Sequence, residues 1–95
     1  MKRKPTKITR EAIGRECTIR LDGCLTGPCC LCHIRQIDIS GGGLKAPDIL
    51  GAWGCLNCHE KVDVSERGNI ETQYRFREAV AITQNTLIKE GKITW

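Results

Sequence analysis

A chain of ninety-five residues makes one domain, and a domain this small buries only about two-thirds of its unfolded surface, so its core needs help. Two Trp, one Tyr and one Phe against ten glycines leave few large rings to bury and much backbone freedom to remove. The net charge of +4, with five of the first ten residues Lys or Arg, favours a polyanionic partner over a neutral one, solubility being the competing reason for such an excess. No run is long or apolar enough to span a membrane.

Seven cysteines suit either a disulfide framework or metal thiolates. The opening MKRKPTK carries no apolar stretch of the kind that directs export, so the expectation is a reducing, cytoplasmic setting in which thiolates hold metal. Zinc would then supply the folding energy that the core lacks.

Met1 to Thr9 reads as a flexible basic arm, with Lys2, Arg3, Lys4 and Lys7 around Pro5. It is suited to lie along phosphates or simply to solvate the chain end. Arg10 to Ile13 predicts a short turn of helix that Gly14 breaks. The division expected is an arm over 1–12 and one zinc domain over 13–95. Cys17 to Leu21 alternates as a strand does, Asp22-Gly23 marks a turn, and Cys24 lies just beyond it, so a thiolate before the bend and one after can converge on one ion.

Cys29 to Ile34 (CCLCHI) predicts a short buried strand that delivers His33. Its cysteines Cys29, Cys30 and Cys32 read first as small core residues and second as substitute ligands. Ser40 to Gly43 predicts a hairpin tip, and Ile49 to Trp53 the return strand, with Trp53 as a core anchor. A helix is expected from Cys58 or His59 to about Val64, broken at Arg67-Gly68-Asn69. Ile70 to Glu90 is the one long helix: Tyr74, Phe76, Val80, Ala81, Leu87 and Ile88 recur mostly at helical intervals, and Gly91 stops it. Ile93 to Trp95 is expected to dock on the body or add an edge strand.

The chemistry concentrates between Cys32 and Asp63, where both histidines lie. Cys55 and Cys58 have the CxxC spacing that lets two thiolates bind one tetrahedral ion from a single turn, and His59 follows at once. The two histidines, His33 and His59, are expected to face each other.

A His-Ile step after a strand, an Asn or Asp on the return strand and CxxCH opening a helix resemble the HNH, or ββα-metal, endonuclease finger. GREC (Gly14 to Cys17), HIR (His33 to Arg35), APDI (Ala46 to Ile49), CxxCHEKVD (Cys55 to Asp63) and KEG (Lys89 to Gly91) further resemble the small prophage proteins of the YbcO family, which are expected to be HNH nucleases. The resemblance covers nearly the whole chain after the first dozen residues. It implies an α+β fold, a small zinc-bound ββα-metal finger with a long C-terminal helix, in a bacterial cell with a phage or prophage setting. It also selects Cys17 and Cys24, over Cys29 and Cys30, to join Cys55 and Cys58 in a closed zinc site, which has no open position for activating water.

Under the same resemblance His33 is the general base that takes a proton from the attacking water, work suited to an imidazole with an ordinary pKa of about 6.5. Asp48 holds the central motif position, either as an oxygen ligand to a Mg2+ or Mn2+ ion entering with substrate or as the group that orients His33. His59 is the third motif residue and the nitrogen ligand. Arg35, two residues after His33 on the same strand face, grips the scissile phosphate, with Arg20 and Lys45 as further DNA contacts. Two departures from the wider HNH pattern stand out: Cys32 replaces an acid before the first histidine, and Asp48 lies farther from the knuckle than usual.

Each role has a plainer alternative. His33 could be a hydrogen-bonded core histidine, His59 a fourth zinc ligand replacing a cysteine, Asp48 a turn former, and Arg35, Arg20 and Lys45 solvated charge. The function expected is metal-dependent hydrolysis of DNA phosphodiester bonds, and the alternative is a zinc-containing nucleic-acid-binding module without catalysis. A homodimer that cuts both strands would enlarge the small DNA-contact surface of one chain.

Overall fold

A computed structural model describes residues 7–34 and 47–93. Arg35, Lys45, the expected hairpin tip at Ser40 to Gly43, and residues 1–6 and 94–95 lie outside the described residues. The fold is a small α+β unit in which a β-hairpin is followed by helices, the last of them long.

The first helix, α1 (Lys7–Arg10), begins inside the stretch read as an arm. Turn bonds carry it onward, with the N–H groups of Glu11, Ala12 and Ile13 donating to the carbonyls of Ile8, Thr9 and Arg10, until Gly14 at φ +79° ends the run. Cys17 to Leu21 was expected to be a strand, and it is not one. Cys17 and Ile19 are buried and Arg20 is exposed, so the alternation is real. The backbone, however, bonds to Thr26 and to Trp53 and then turns at Arg20 (φ +54°) and Gly23 (φ +81°), wrapping the chain around the cysteines instead of extending a ladder.

Strands β1 (Cys29–His33) and β2 (Gly51–Cys55) form an antiparallel hairpin in which Cys29 pairs with Cys55, Leu31 with Trp53, Cys32 with Ala52 and His33 with Gly51. The return strand thus starts two residues later than expected, because Pro47 sets a 3-10 turn over Asp48–Leu50. Gly51 does not interrupt β2. A Cβ there would meet Leu31 Cγ at 2.9 Å, and one at Gly54 would meet Cys32 Sγ and Ile19 Cδ1 at 2.7 Å, so both glycines allow close packing.

Side chains alternate across a strand, and the hairpin accordingly divides the core. Leu31 and Trp53 face one way, with Ala12, Leu87 and the half-buried Ile93. Cys32 and Ala52 face the other, with Ile19, Val62, Phe76, Ala79 and Val80. Helix α2 (Leu56–Glu60) follows β2 directly and widens into a π turn over Lys61–Ser65.

Helix α3 (Ile70–Lys89) starts at Asn69, whose side chain accepts from the Thr72 N–H at 2.9 Å. It ends in a Schellman arrangement, with Gly91 at φ +72° and Lys92 N–H donating to the Leu87 carbonyl at 2.9 Å. Its buried stripe runs through Thr72, Phe76, Ala79, Val80, Thr83 and Leu87. Tyr74, Ala81 and Ile88, expected on that face, are exposed. The stripe turns on Thr83, whose hydroxyl accepts from Trp53 N–H at 3.2 Å and lies 3.3 Å from the Thr18 hydroxyl, tying α3 to β2. Among the described residues no helix is long and apolar enough to cross a membrane.

Candidate metal and catalytic sites

The turn at Asp22-Gly23 and the start of α2 bring the sulfurs of Cys17, Cys24, Cys55 and Cys58 within 4.8 Å of one another. A zinc–sulfur bond of about 2.3 Å in tetrahedral geometry puts two sulfurs about 3.8 Å apart. Cys24 and Cys55 are 3.9 Å apart. The backbone N–H groups of Leu21, Leu25 and Thr26 point at Cys58, Cys55 and Cys24 at 3.3, 3.3 and 3.4 Å, the donors that thiolates require. Burial pushes the Cys58 thiol up to about 12 and raises Cys24 as well. At Cys55 burial is outweighed by the N–H groups of Leu25 and Cys58, which bring it down to about 7. A divalent cation would offset the sulfurs' mutual repulsion. The donor set therefore fits zinc, and His59 is not part of it.

His33 closes β1, on the Leu31 side of the hairpin. Its Nε2 lies 2.7 Å from Asp48 Oδ1, and the Thr9 hydroxyl donates to Asp48 Oδ2 at 3.0 Å. The side chains of His33 and Asp48 are 14% and 8% exposed, so the pair is largely shielded while the ring keeps some access to solvent. An ionised carboxylate can only accept, so this contact puts a proton on Nε2, and in the neutral ring the lone pair is then on Nδ1. Thr9 was missed by sequence reasoning. It lies 39 residues from Asp48, and nothing local marks it.

His59 belongs to a third group. Its Nδ1 lies 3.4 Å from Cys30 Sγ, and its Nε2 lies 3.0 Å from Asp63 Oδ2, one helical turn on. The sulfurs of Cys30 and Cys32 are 4.0 Å apart. Hydrogen bonds from Cys32 and His59 draw Cys30 down to about 4, the same pairing together with burial drives Cys32 far upward, and the Cys30 contact raises His59 against the opposing effect of burial. The histidines do not face each other: strand alternation puts His33 and Cys30 on opposite sides of β1, and His59 packs on the Cys30 side. The CxC spacing of Cys30 and Cys32 was the legible signal for this group, since it places both thiols on one face.

Arg20 sits on the segment between Cys17 and Cys24, exposed, with its Nε donating to the Cys17 carbonyl at 3.2 Å. Arg35 and Lys45 lie outside the described residues. A groove of about 420 Å3, lined by Ile34, Asp63, Arg67, Gln73, Tyr74 and Arg77 among others, runs beside the His59 group. With two arginines and an exposed tyrosine it suits phosphate and base, and sequence reasoning did not single it out.

Comparison with known proteins gives a consistent result. The family model described as "Putative nuclease YbcO" matches residues 6–92. Among curated proteins the chain is 33% identical over 92 residues to "Putative nuclease YbcO" of Escherichia coli (strain K12), covering 90% of this chain and 95% of that protein. It is 33% identical, with the same coverage, to "Putative nuclease ybcO" of Enterobacteria phage 82. No solved structure matches.

Proposed function

Because the chain belongs to the YbcO family of nucleases so described, we propose that it hydrolyses DNA phosphodiester bonds by an HNH-type route. The observation that carries this reading is the His33–Asp48 pair at the end of β1, with 2.7 Å between Nε2 and Oδ1. Asp48 fixes the ring's tautomer and orientation, Thr9 fixes Asp48, and Nδ1 of His33 accepts the proton of the water that attacks phosphorus. Both Asp48 oxygens are engaged, by His33 and by Thr9, which favours the orienting role over that of a cation ligand. A divalent cation entering with substrate, Mg2+ or Mn2+ in the hard-ion version of this chemistry, would neutralise charge at the phosphate and the departing 3′ oxygen. His59, the nitrogen ligand expected from the motif, lies on the other side of β1 from His33 with its two ring nitrogens engaged by Cys30 and Asp63. Arg35 and Lys45, together with Arg67 and Arg77 of the groove, are the cations offered to the DNA backbone. The four-cysteine zinc site is structural.

The second reading is a zinc module that binds nucleic acid without cutting it, and the placement of the two histidines on opposite faces of β1 favours it. Nicking of supercoiled plasmid with added Mg2+, Mn2+ or Zn2+ separates the two. The nuclease reading expects cleavage by the parent and at least a 100-fold loss in His33→Ala, with plasmid retention unchanged. Retention without cleavage by the parent under any of these ions leaves the binding module.

A further inference from the structure

We propose that Cys30, Cys32 and His59 form a second metal site of the zinc class, built as an open site where the four-cysteine site is closed. Occupancy of this site is independent of the nuclease reading; only a part in catalysis rests on it. The geometry comes from three elements. Cys30 and Cys32 project from the same face of β1, their sulfurs 4.0 Å apart, close to the roughly 3.8 Å edge of a tetrahedral zinc–thiolate site. Helix α2 brings His59 Nδ1 to 3.4 Å from Cys30 Sγ, near the roughly 3.5 Å expected between a sulfur and a nitrogen sharing one zinc. Gly54, across from Cys30, leaves room for the Cys32 sulfur, since a Cβ there would lie 2.7 Å from it.

The surroundings match a metal-bound imidazole. Asp63 accepts from His59 Nε2–H at 3.0 Å, which orients the ring so that Nδ1 points at the sulfurs, the carboxylate–histidine–metal arrangement that supports ligating histidines. Among the described residues this cluster offers three ligand atoms and the other offers four. Two thiolates and one imidazole form the donor set of an open zinc site, in which a fourth position takes water or a substrate oxygen. Thiolate donors favour zinc-class ions over Mg2+, so the ion held at His59 is of the soft or borderline kind. Cys30 is exposed and the His59 side chain is partly so, which leaves the cluster reachable from solvent.

The test is metal counting on the full chain purified under reducing conditions with zinc supplied. The parent is expected to carry two zinc ions per chain and Cys30→Ser one, with the thermal melt retained. Because Cys32 is fully buried, Cys30→Ser and His59→Gln are the informative variants. Cobalt substitution gives a second readout: charge-transfer absorbance should correspond to six thiolates in the parent and to five or fewer in Cys30→Ser. One zinc in the parent, a four-thiolate cobalt spectrum, two zinc ions retained in both variants, or a Cys30–Cys32 disulfide in the reduced preparation would each overturn the proposal. Two zinc ions without plasmid nicking uphold the site and sink the nuclease reading; nicking by a one-zinc protein does the reverse.

Discussion

Cys17, Cys24, Cys55 and Cys58 converge from two tight turns and are ringed by backbone N–H donors, whereas His33, Asp48 and Thr9 meet at the seam of three separate elements and are linked by side-chain hydrogen bonds. One centre is organised by its own turns, and its four sulfurs fit an ion that would lock it. The other depends on how α1, the 3-10 turn and β1 dock. The cysteine site should therefore fail all at once, taking the fold with it, while the histidine site should fail by degrees and leave the fold standing.

The largest expected effect follows from the first half of that contrast. Zinc contributes an apparent ~10–16 kcal/mol of folding free energy in small zinc peptides, as much as the whole net stability of an ordinary domain. Chelation, or Cys58→Ser, is expected to abolish the cooperative thermal melt followed by circular dichroism, and zinc should restore it only to the parent. Binding must also drive protons from thiols that stand high, Cys58 at about 12 and Cys24 raised. Zinc affinity measured by chelator competition should accordingly fall as pH falls, by about tenfold per pH unit for each proton released. A metal-free protein that still melts cooperatively near the parent's temperature would erase the contrast.

Next in size is Asp48→Asn. It keeps volume but weakens the hold on the His33 ring, and loss of an orienting partner of this kind costs about 10–100-fold. The expected outcome is a nicking rate lowered by that factor, with zinc content, melt and plasmid affinity unchanged. Thr9→Val removes one hydrogen bond from Asp48 and should cost about tenfold or less. If both variants cut at the parent rate, the pair is a structural contact. If either one loses zinc, the two centres are not separable as argued.

Why one centre was legible and the other only partly so follows from the same difference. CxxC, the Asp22-Gly23 turn and the caps of α3 are local patterns, and each element's own periodicity reveals which face it buries. Periodicity does not reveal what arrives at that face. Thr83 looks polar along α3, yet it is buried because Thr18 and the backbone of Trp53 meet it there. Cys30 and Cys32 alternate correctly on β1, but only the docked α2 brings His59 to them. The two-residue delay of β2 arose because Pro47 opened a turn where the apolar run suggested a strand.

The smallest predicted effect concerns what braces α1, the helix that carries Thr9. Arg15 donates to Glu11 and Glu90, its guanidinium lies 4.4 Å from the centre of the Trp53 ring, and Lys92 pairs with Glu11. The hydrogen bonds from Arg15 hold the Glu11 and Glu90 carboxyls below their ordinary range. Carboxyls lowered on folding stabilise the folded state at any pH above their unfolded values, and that contribution disappears as pH falls through the lowered ones. Glu90→Gln should thus lower the melting temperature slightly and by the same amount across neutral pH, since exposed ion pairs contribute little. The gap should close in acid, read with saturating zinc so that the cysteine site stays filled. The Trp53 indole N–H resonance should shift in the variant as Arg15 loosens, with only a minor change in nicking rate. A Trp53 resonance identical to the parent's would mean that Glu11 alone keeps Arg15 over the ring, and that the histidine centre owes nothing to the end of α3.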